Sequence, residues 1–424
     1  MNTYSSYKDS GVEWICDIPS EWDSLKLKYI FSEKPITHNT ELNCGSISFG
    51  RVVFKDNDKV PISTKKSYQE VLEGEYLINP LNLNYDLKSL RIGLSDIDVV
   101  VSSGYIVIKN RIEISKSYYK WLLHIYDILH MKLLGSGVRQ TISFNHISNS
   151  ILTYPPLQEQ QQISDYLDYK TSKIDTLIKK TEQKIELLKE QRISLINTTV
   201  TKGLNPNVEM KDSGVEWIGE IPSKWKTTRL KYIFKLREEK TDTGEGELLT
   251  VTITKGIVRR RDFIKKGDHL SRSKSLKGYK VCYTNDLVNN IMKMGFRCLG
   301  ISDYNGIVSP AYSVFSFINN KNKPMYWDYL LRTDLYVTEY KKRSKGIQES
   351  RMRLYDDYFL DIVSIVPPHQ EQQQIVDYLD KENSKLDKLI DIESKRIKLL
   401  KEYRQSLISD VVTGKVDVRD EVLG

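Results

Sequence analysis

Two long stretches of the chain carry apolar residues in a repeat of seven. Each stretch follows a pair of prolines, Pro155-Pro156 in one case and Pro367-Pro368 in the other. This spacing predicts two long helices, each with an apolar stripe along one side, and proline favours the helix starts. The predicted seam residues are Ile163, Leu167, Ile174, Ile178, Ile185, Leu188 and Leu195 in the first helix and Ile375, Leu379, Leu386, Ile390, Ile397, Leu400 and Leu407 in the second.

The length of these helices decides what covers their stripes. At roughly 40 residues, each would extend about 60 Å, which exceeds the width of a domain of this size. The first turns are expected to lie on an adjacent domain, but most of each stripe requires another helix. Thr181 and Glu393 place polar groups at equivalent positions of the seams, which would fix the register, and the stems of Arg192 and Arg404 would cover the seam.

The chain also repeats itself. Residues 7–31 match residues 210–234 without a gap, and residues 155–196 match residues 367–408 in the same way. The sequence between the matched blocks differs widely in the two copies. Similar ends around different middles predict two halves with a common framework, each with its own variable surface.

The variable regions, at residues 25–155 and 228–367, have the pattern of mixed strands and helices. Short β-branched runs such as Val99-Val100-Val101 predict strands, and the turn formers of residues 202–207 predict a linker between the halves. We therefore predict an α+β fold with two mixed α/β domains, two long helices and an internal repeat. The predicted boundaries are 1–155 (first variable domain), 156–209 (first long helix and linker), 210–367 (second variable domain) and 368–424 (second long helix and tail).

Composition is that of an ordinary soluble protein. Hydrophobic residues make up 39% of the 424 residues and charged residues 28%, which disfavours a disordered chain. The first residues lack a basic stretch before an apolar run, and no apolar run approaches the ~20 residues of a membrane span. We expect a cytoplasmic protein that contacts no membrane. The scattered cysteines are expected to be free thiols rather than disulfide partners or zinc ligands: Cys16, Cys44, Cys282 and Cys298.

No catalytic motif is recognisable. The sequence lacks a GxxxxGK[ST] phosphate loop, HExxH and GxSxG, and its double-proline segments are not the [ND]PP[FY] with which adenine methyltransferases hold a flipped base. The histidines do not fall at metal-ligand spacing: they are His38, His124, His130, His146, His269 and His369. We predict no catalytic site, and no metal or cofactor bound by this chain.

Basic residues cluster in the variable regions, and the formal net charge of +8 favours a polyanionic partner. Arg259, Arg260 and Arg261 belong to the densest cluster, which suits a phosphate backbone. Arg139 and Arg351 lie in or after glycine-containing loops that could approach base edges, with Gln348 as the rival of Arg351. For any one residue a solvated surface role is equally expected. The predicted DNA-binding residues are Arg51, Lys55, Lys65, Lys66, Arg139, Gln140, Arg259, Arg260, Arg261, Lys274, Lys293, Lys345, Gln348, Arg351 and Arg353.

The duplicated blocks resemble the specificity subunit of type I restriction-modification enzymes. Residues 10–22 and 213–225 carry the resemblance, together with PPLQEQQQISDYLD, PPHQEQQQIVDYLD and the helix ends VTKG and VTGK. The resemblance covers essentially the whole chain. Cys16 stands where the other repeat has Gly219, and His369 where it has Leu157, and neither departure threatens the assignment.

The resemblance implies a function in DNA recognition. Each variable region would be a target recognition domain that reads one half of a bipartite site in double-stranded DNA. The long helices would pack as an antiparallel coiled coil that sets the spacer, and the tandem copies could close around a pseudo-two-fold axis. Two methylation subunits would dock, and two restriction subunits would join in the full complex. S-adenosylmethionine, ATP and Mg²⁺ are expected on those partners and not on this chain.

Two alternatives stay open at this point. A self-contained nuclease or methyltransferase is disfavoured by the missing motifs, and activity of the purified chain alone would support it. A coiled-coil scaffold that binds only proteins leaves the basic clusters unexplained, and a mobility shift of DNA by the chain with its methylation partner would argue against it. The recognised DNA sequence does not follow from the residues, because these domains have no residue-to-base code.

Overall fold

The computed structural model describes residues 2–56, 60–81, 90–131, 134, 141–263, 275–346 and 352–421. Its internal contacts divide the chain into two compact units. The first unit combines residues 1–182 with residues 395–424, and the second unit consists of residues 183–394. Each unit therefore contains one variable region together with parts of both long helices.

Short strands dominate both variable regions. The first unit contains β1 (Tyr7–Asp9), β2 (Asp17–Pro19), β3 (Asp23–Lys26), β4 (Phe31–Glu33), β5 (Gly45–Ser48), β6 (Arg51–Phe54), β7 (Gln69–Val71), β8 (Tyr76–Ile78), β9 (Ile92–Leu94), β10 (Val99–Val101), β11 (Ile106–Asn110) and β12 (Ile151–Tyr154). The second contains β13 (Met210–Asp212), β14 (Glu220–Pro222), β15 (Lys226–Arg229), β16 (Phe234–Leu236), β17 (Leu249–Thr252), β18 (Gly256–Arg259), β19 (Lys280–Cys282), β20 (Leu287–Asn290), β21 (Leu299–Ile301), β22 (Gly306–Val308), β23 (Tyr312–Phe317) and β24 (Val363–Val366).

Helices connect and flank these strands. They are α1 (Leu27–Ile30), α2 (Ile62–Lys65), α3 (Lys116–Leu129), α4 (Phe144–Ile147), α5 (Leu157–Lys202), α6 (Arg260–Phe263), α7 (Pro324–Leu331), α8 (Asp334–Arg343), α9 (Asp356–Leu360) and α10 (His369–Val412). Single 3-10 turns lie at Leu230–Tyr232 and Met294–Phe296. The two predicted long helices are present as α5 and α10. Each begins directly after its proline pair.

Both units pair their strands in the same antiparallel pattern. A four-stranded sheet has the order β4-β11-β8-β9 in the first unit and β16-β23-β20-β21 in the second. Other strands pair two by two: β1 with β2, β3 with β12, β5 with β6 and β7 with β10. Their counterparts twelve strands later pair in the same way. The repeated sequence therefore encodes a repeated fold, although the middles of the two halves share little sequence.

One glycine in each sheet lets a hairpin pack closely. Gly93 lies opposite Leu77, and Gly300 lies opposite Val288, so the two occupy equivalent places. A Cβ at Gly93 would stand 2.8 Å from the carbonyl oxygen of Gly50, and one at Gly300 would stand 3.0 Å from the Cα of Gly256. Because any side chain would push these backbones apart, glycine is required at both places.

Aromatic side chains fill the space between each sheet and its helix. In the first unit Phe31 makes edge-to-face contacts with Tyr76 and Tyr119, with ring centroids 5.3 and 5.4 Å apart. In the second unit Phe234 makes the equivalent contact with Trp327, at 5.5 Å. These rings are fully buried. Such contacts add to the stability that burial alone provides.

A buried glutamine joins each long helix to its variable region. Gln160 accepts a hydrogen bond from the backbone N–H of Ser115 (3.0 Å) and donates one to the carbonyl of Pro155 (2.8 Å). Gln372 does the same with the N–H of Lys323 (3.0 Å) and the carbonyl of Pro367 (3.1 Å). Both side chains are fully buried, so these bonds satisfy amides that would otherwise be costly to bury.

A buried tyrosine in each unit bonds to the end of a long helix. Tyr118 donates to the carbonyl oxygen of Val412 at 3.0 Å, and Tyr326 donates to that of Val200 at 3.1 Å. Helix α10 begins in the second unit and ends in the first, whereas α5 begins in the first and ends in the second. Each unit is thus completed by a helix that started in the other.

Candidate nucleic-acid interface

The predicted DNA-binding residues of the first unit lie on two elements. Arg51 opens β6 and is exposed, and the exposed Lys55 follows the same strand. Lys65 ends α2 and Lys66 caps it, half-buried and exposed respectively. The other two predicted residues, Arg139 and Gln140, lie outside the described residues.

The turn before Arg51 is strained. Phe49 has a φ of 48° and is 79% exposed, and Gly50 follows with a φ of 74°. A bulky residue rarely adopts the left-handed conformation, which costs of the order of 1 kcal/mol. The turn joins β5 to β6 and lies beside Leu90 and Ile92 in a cleft of about 490 Å³.

In the second unit the structure brings three predicted residues close together. Lys345 and Arg353 exchange two backbone hydrogen bonds, each 2.9 Å long. The N–H of Leu354 donates to the carbonyl of Ile291 at 3.0 Å, which holds this bridge beside the loop that carries Lys293. All three basic side chains are exposed. Lys274, Gln348 and Arg351 lie outside the described residues.

The same loop connection exists in the first unit. There the N–H of Ile142 donates to the carbonyl of Pro80 at 3.1 Å. By strand register Pro80 is equivalent to Ile291, and Ile142 is equivalent to Leu354. Both units therefore tie the loop after the second strand of the sheet to the segment that precedes the last short helix. The segments joined in this way carry different residues in the two units, Pro80 and Ile142 in the first and Ile291 and Leu354 in the second.

Tyr358 supports the charge of Lys345, a contact that the sequence did not reveal. The ammonium of Lys345 lies 4.4 Å from the centroid of the Tyr358 ring. A hydrogen bond to this phenol raises the pKa of Lys345, so the side chain stays cationic. No spacing rule links residues 13 positions apart across a loop, which is why sequence reasoning missed the pair.

The triple-arginine segment is partly engaged within its own domain. The guanidinium of Arg259 lies 4.7 Å from the ring centroid of Tyr304, and Arg261 pairs with Glu247 at 2.9 Å. Arg260 directly follows β18, is the first residue of α6 and is half-buried. Phe263, at the end of α6, and Lys293 line one cavity of about 340 Å³. The end of α6 and the Lys293 loop thus border the same cavity.

All predicted seam residues lie on covered sides of α5 and α10. Nine are buried: Ile163, Leu167, Ile174, Ile178, Ile185, Ile375, Leu379, Leu386 and Leu407. Five are half-buried: Leu188, Leu195, Ile390, Ile397 and Leu400. Thr181 is buried and donates to the carbonyl of Leu177 at 2.7 Å, and the buried Glu393 accepts from Lys184 at 2.5 Å.

Equivalent ion pairs flank the seam in the two units. In the first unit Arg404 bonds to Asp175 at 2.9 and 3.2 Å. In the second unit Arg192 bonds to Asp387 at 2.6 Å. Asp175 and Asp387 hold equivalent places in the repeat, as do Arg192 and Arg404. In both units a segment of α5 thus contacts a segment of α10 through the same residue types.

Other chemistry is limited in the part of the chain that the structure describes. No group of three His, Cys, Asp or Glu side chains in it is arranged to hold a metal ion. None of its helices is long and apolar enough to cross a membrane. The four cysteines are free thiols, as predicted, and burial raises the pKa of Cys282 to about 12.

Comparison with known proteins identifies the family. A family model described as type I restriction modification DNA specificity domain matches residues 19–187 and again residues 222–402. The chain belongs to the type I restriction-modification DNA specificity family. It is therefore a specificity subunit with two target recognition domains, one in each half of the chain.

Solved structures share the fold of this chain. One chain, from work on complex assembly and conformational transition of the type I R-M system, aligns with a TM-score of 0.64 and 13% identity, over 94% of this chain and 99% of its own length. The HsdS subunit from Thermoanaerobacter tengcongensis aligns with a TM-score of 0.54 and 15% identity, over 98% of this chain and 100% of its own. At such identities the likeness is one of fold.

Proposed function

We propose that the chain recognises a bipartite site in double-stranded DNA. Each target recognition domain contacts one half of the site, and the long helices set the distance between the halves. The chain itself catalyses nothing. It directs the adenine-methylation and endonuclease activities of partner subunits to their target.

The observation that carries this proposal is the contrast between identical strand pairing and different loops. Both units keep the same sheet order and join the same two segments, yet these segments carry different residues, with Lys293, Lys345 and Arg353 close together in the second unit. Two domains that recognise different DNA sequences require this combination. Side chains discriminate the base edges, and the framework only positions those side chains. A scaffold that binds only proteins has no such requirement.

The spacer role rests on α5 and α10. In the first unit, Asp175 of α5 meets Arg404 of α10, and Glu182 meets Lys401, so the contacts ascend one helix as they descend the other. This order supports an antiparallel coiled coil. We further propose that two methylation subunits dock on the repeated parts of the chain and that two restriction subunits join them. S-adenosylmethionine, ATP and Mg²⁺ would be held by those partners.

An exchange of one domain tests the proposal. Residues 25–155 are replaced by the equivalent region of a relative, and the variant is expressed in a host cell together with the methylation subunit. The methylated sequence is then determined across the genome of that host. We expect one half-site to change and the other to stay the same. A change in both halves at once, with the protein folded and active, would contradict independent readers.

A change in helix length tests the spacer separately. One heptad inserted at equivalent places of α5 and α10 keeps the seam in phase and lengthens each helix by roughly 10 Å, or about three base pairs at ~3.4 Å each. The unread spacer should lengthen by that amount. An unchanged spacer in an active variant would show that the helices do not set the distance.

A further inference from the structure

The hairpin of β5 and β6 turns on a residue that its backbone conformation disfavours. Ser48 pairs with Arg51, so Phe49 and Gly50 alone form the turn. Both have positive φ, 48° and 74°, as a two-residue turn of type I′ requires. The first of these positions favours asparagine, aspartate or glycine, because larger side chains are strained in the left-handed conformation. Phenylalanine at residue 49 therefore lowers the stability of the turn.

No structural gain offsets this strain. Phe49 is 79% exposed, whereas Val52 on the following strand is buried. An exposed ring removes little apolar surface from water, so it contributes little to the core. Among the residues that the structure describes, no side chain forms a hydrogen bond with the backbone of Phe49 or Gly50. A strained residue that the surrounding structure does not need points to a function.

The equivalent turn of the second unit follows the ordinary rules. Three residues separate Thr252 from its strand partner Gly256, and this glycine takes the left-handed conformation with a φ of 66°. The guanidinium of Arg332 donates to the carbonyls of Ile253 (3.0 Å) and Thr254 (3.1 Å), which fixes the turn. The common fold therefore does not require a strained, exposed aromatic residue at this place.

The strained turn lies at the same end of the central sheet as the candidate interface segments of the first unit. A Cβ built on Gly50 would stand 3.4 Å from the carbonyl oxygen of Ile92. Ile92 pairs with Ile78, two residues before Pro80. Pro80 accepts the hydrogen bond that joins this end of the sheet to the segment after the loop of Arg139. The turn thus adjoins the candidate nucleic-acid interface.

The surroundings of Phe49 carry an excess of positive charge. Its ring lines the cleft of about 490 Å³, whose charged residues are Arg51, Lys120, Lys179 and Arg404 against Asp168 and Asp175. The two aspartates pair with Lys120 and Arg404. In the described part of the chain, Arg51 and Lys179 have no ion-pair partner. An exposed aromatic ring beside unpaired cations suits a partner that combines negative charge with aromatic faces, as nucleic acid does.

The difference between the two turns favours DNA over a protein partner. The proposed methylation subunits are identical, so they should dock on residues that both halves keep. The β5–β6 turn instead lies in the variable region, and it differs from its counterpart in length, sequence and conformation. The base sequence is what differs between the halves of a bipartite site. A phenyl ring, which has no polar atom for a phosphate, contacts bases through thymine methyl groups or between base pairs.

We propose that Phe49 contacts the bases of the first half-site and that Arg51 binds a phosphate beside it. The inference rests on the proposed function, since it presupposes that the first domain recognises one half of the site. The two-residue turn holds the ring away from the core, where it is available to the duplex. Phe49 then contributes to sequence preference, and Arg51 contributes affinity for any sequence.

Phe49→Asn tests the proposal because it should act in opposite directions on the turn and on DNA binding. Asparagine before glycine is the preferred pair of a type I′ turn, so amide exchange of β5 and β6 should slow. The variant is assembled with the methylation subunit, and the cognate duplex is taken from the methylated sequence. We expect about tenfold weaker binding of the cognate duplex and unchanged binding of a scrambled one. Phe49→Leu, which keeps an apolar side chain, should retain most of the affinity.

Two further variants separate the roles within the hairpin. Arg51→Ala should weaken binding of both duplexes by the same factor and make the log–log salt slope shallower by about 0.9. Phe54 is the matched control, because it is 58% exposed, ends β6 and pairs with Gly45 at the other end of the hairpin. Phe54→Ala should leave both affinities unchanged. In cells, Phe49→Asn should relax the methylated sequence within the first half-site only.

Several results would overturn the inference. Unchanged affinity of Phe49→Asn, or an equal loss on both duplexes, would refute the base contact while leaving the proposed function intact. Faster amide exchange of β5 and β6 together with weaker binding would make Phe49 a structural residue. Reduced assembly with the methylation subunit in the absence of DNA, measured by sedimentation, would make the turn a protein-docking site. Failure of the wild-type complex to prefer cognate DNA would instead count against the proposed function.

Discussion

The two target recognition domains have the same strand order but different interior residues. Strands β8 and β20 occupy equivalent places in the central sheets, and Ile78 corresponds to Asn289. Both are fully buried. Ile78 belongs to the apolar core, whereas the side-chain oxygen and nitrogen of Asn289 have no hydrogen-bond partner among the residues that the structure describes.

A second difference concerns the residue directly before β9 in the first domain and before β21 in the second. Arg91 is buried and pairs with Asp127, with Nε 3.0 Å from Oδ1 and exposed side-chain fractions of 3% and 1%. The equivalent residue of the second domain is Cys298, which sits in a small apolar cluster. The domains thus keep backbone pairing and exchange a buried ion pair for a thiol. Strand order and glycine contacts define this fold more strongly than any one interior residue.

Removal of the buried arginine should have the largest effect. Arg91→Ala leaves the Asp127 carboxylate buried without its ion pair, so we expect the first domain to lose about 3–5 kcal/mol of unfolding free energy. Hydrogen exchange of the amides of α3 measures this loss. Arg91→Leu/Asp127→Leu, which removes both charges, should recover most of the stability. A double variant as unstable as the single one would show that the pair itself, and not the uncompensated charge, matters.

Acid should destabilise the first domain more than the second. Burial lowers the pKa of His124 to about 4, and the charge of Arg404 acts in the same direction. The unfolded chain takes up this proton near pH 6.5, so stability present at neutral pH decreases as pH falls from about 6.5 towards 4. The full difference corresponds to about 3 kcal/mol.

The second domain offers the comparison for this acid effect. Arg332 lies eight residues after the first residue of α7, and the residue at the same distance from the start of α3 in the first domain is His124. Hydrogen exchange of α3 and α7 across this pH range distinguishes the domains. His124→Gln should remove the excess sensitivity of α3. If that variant responds to acid as the wild type does, the histidine is not responsible.

Exchange of the equivalent sheet residues should have an intermediate effect. Asn289→Ile replaces an unsatisfied buried amide with the residue of the first domain and should raise the unfolding free energy by about 1–3 kcal/mol. Ile78→Asn should lower that of the first domain. Amide exchange of β20 and β8 reports each change. A destabilised Asn289→Ile variant would show that the second core has no room for isoleucine.

The ion pairs beside the seam should matter least. Asp175→Asn and Asp387→Asn remove equivalent partners of Arg404 and Arg192, and both aspartates are at least 49% exposed. Surface pairs of this kind contribute about 0.5 kcal/mol, and salt reduces that further. Thermal unfolding at low and high salt should show equal, small shifts. A large shift from one variant alone would mean that the two units use the helices differently.

The sequence predicted the regular parts of this structure better than its polar contacts. Seven-residue spacing and proline pairs predicted α5 and α10, and the β-branched run Val99-Val100-Val101 predicted β10. The Arg91–Asp127 pair was not predictable, because its members lie 36 positions apart without any periodic relation. The roles of Gln160 and Gln372 were equally hidden, although their retention in both halves was a usable signal. Assignment of the DNA-binding residues stays a prediction, since exposure alone does not separate base from phosphate contacts.

The bond between Tyr118 and Val412 has a consequence for biosynthesis. The second unit is one continuous segment, residues 183–394, and can fold as soon as that segment leaves the ribosome. The first unit needs Ile408, Val411 and Val412 for its core, and these are translated only after the whole of the second unit. At about 5–20 residues per second, the half that is made first waits for tens of seconds before it can close. The first unit is therefore the first to be translated and the last to complete its fold.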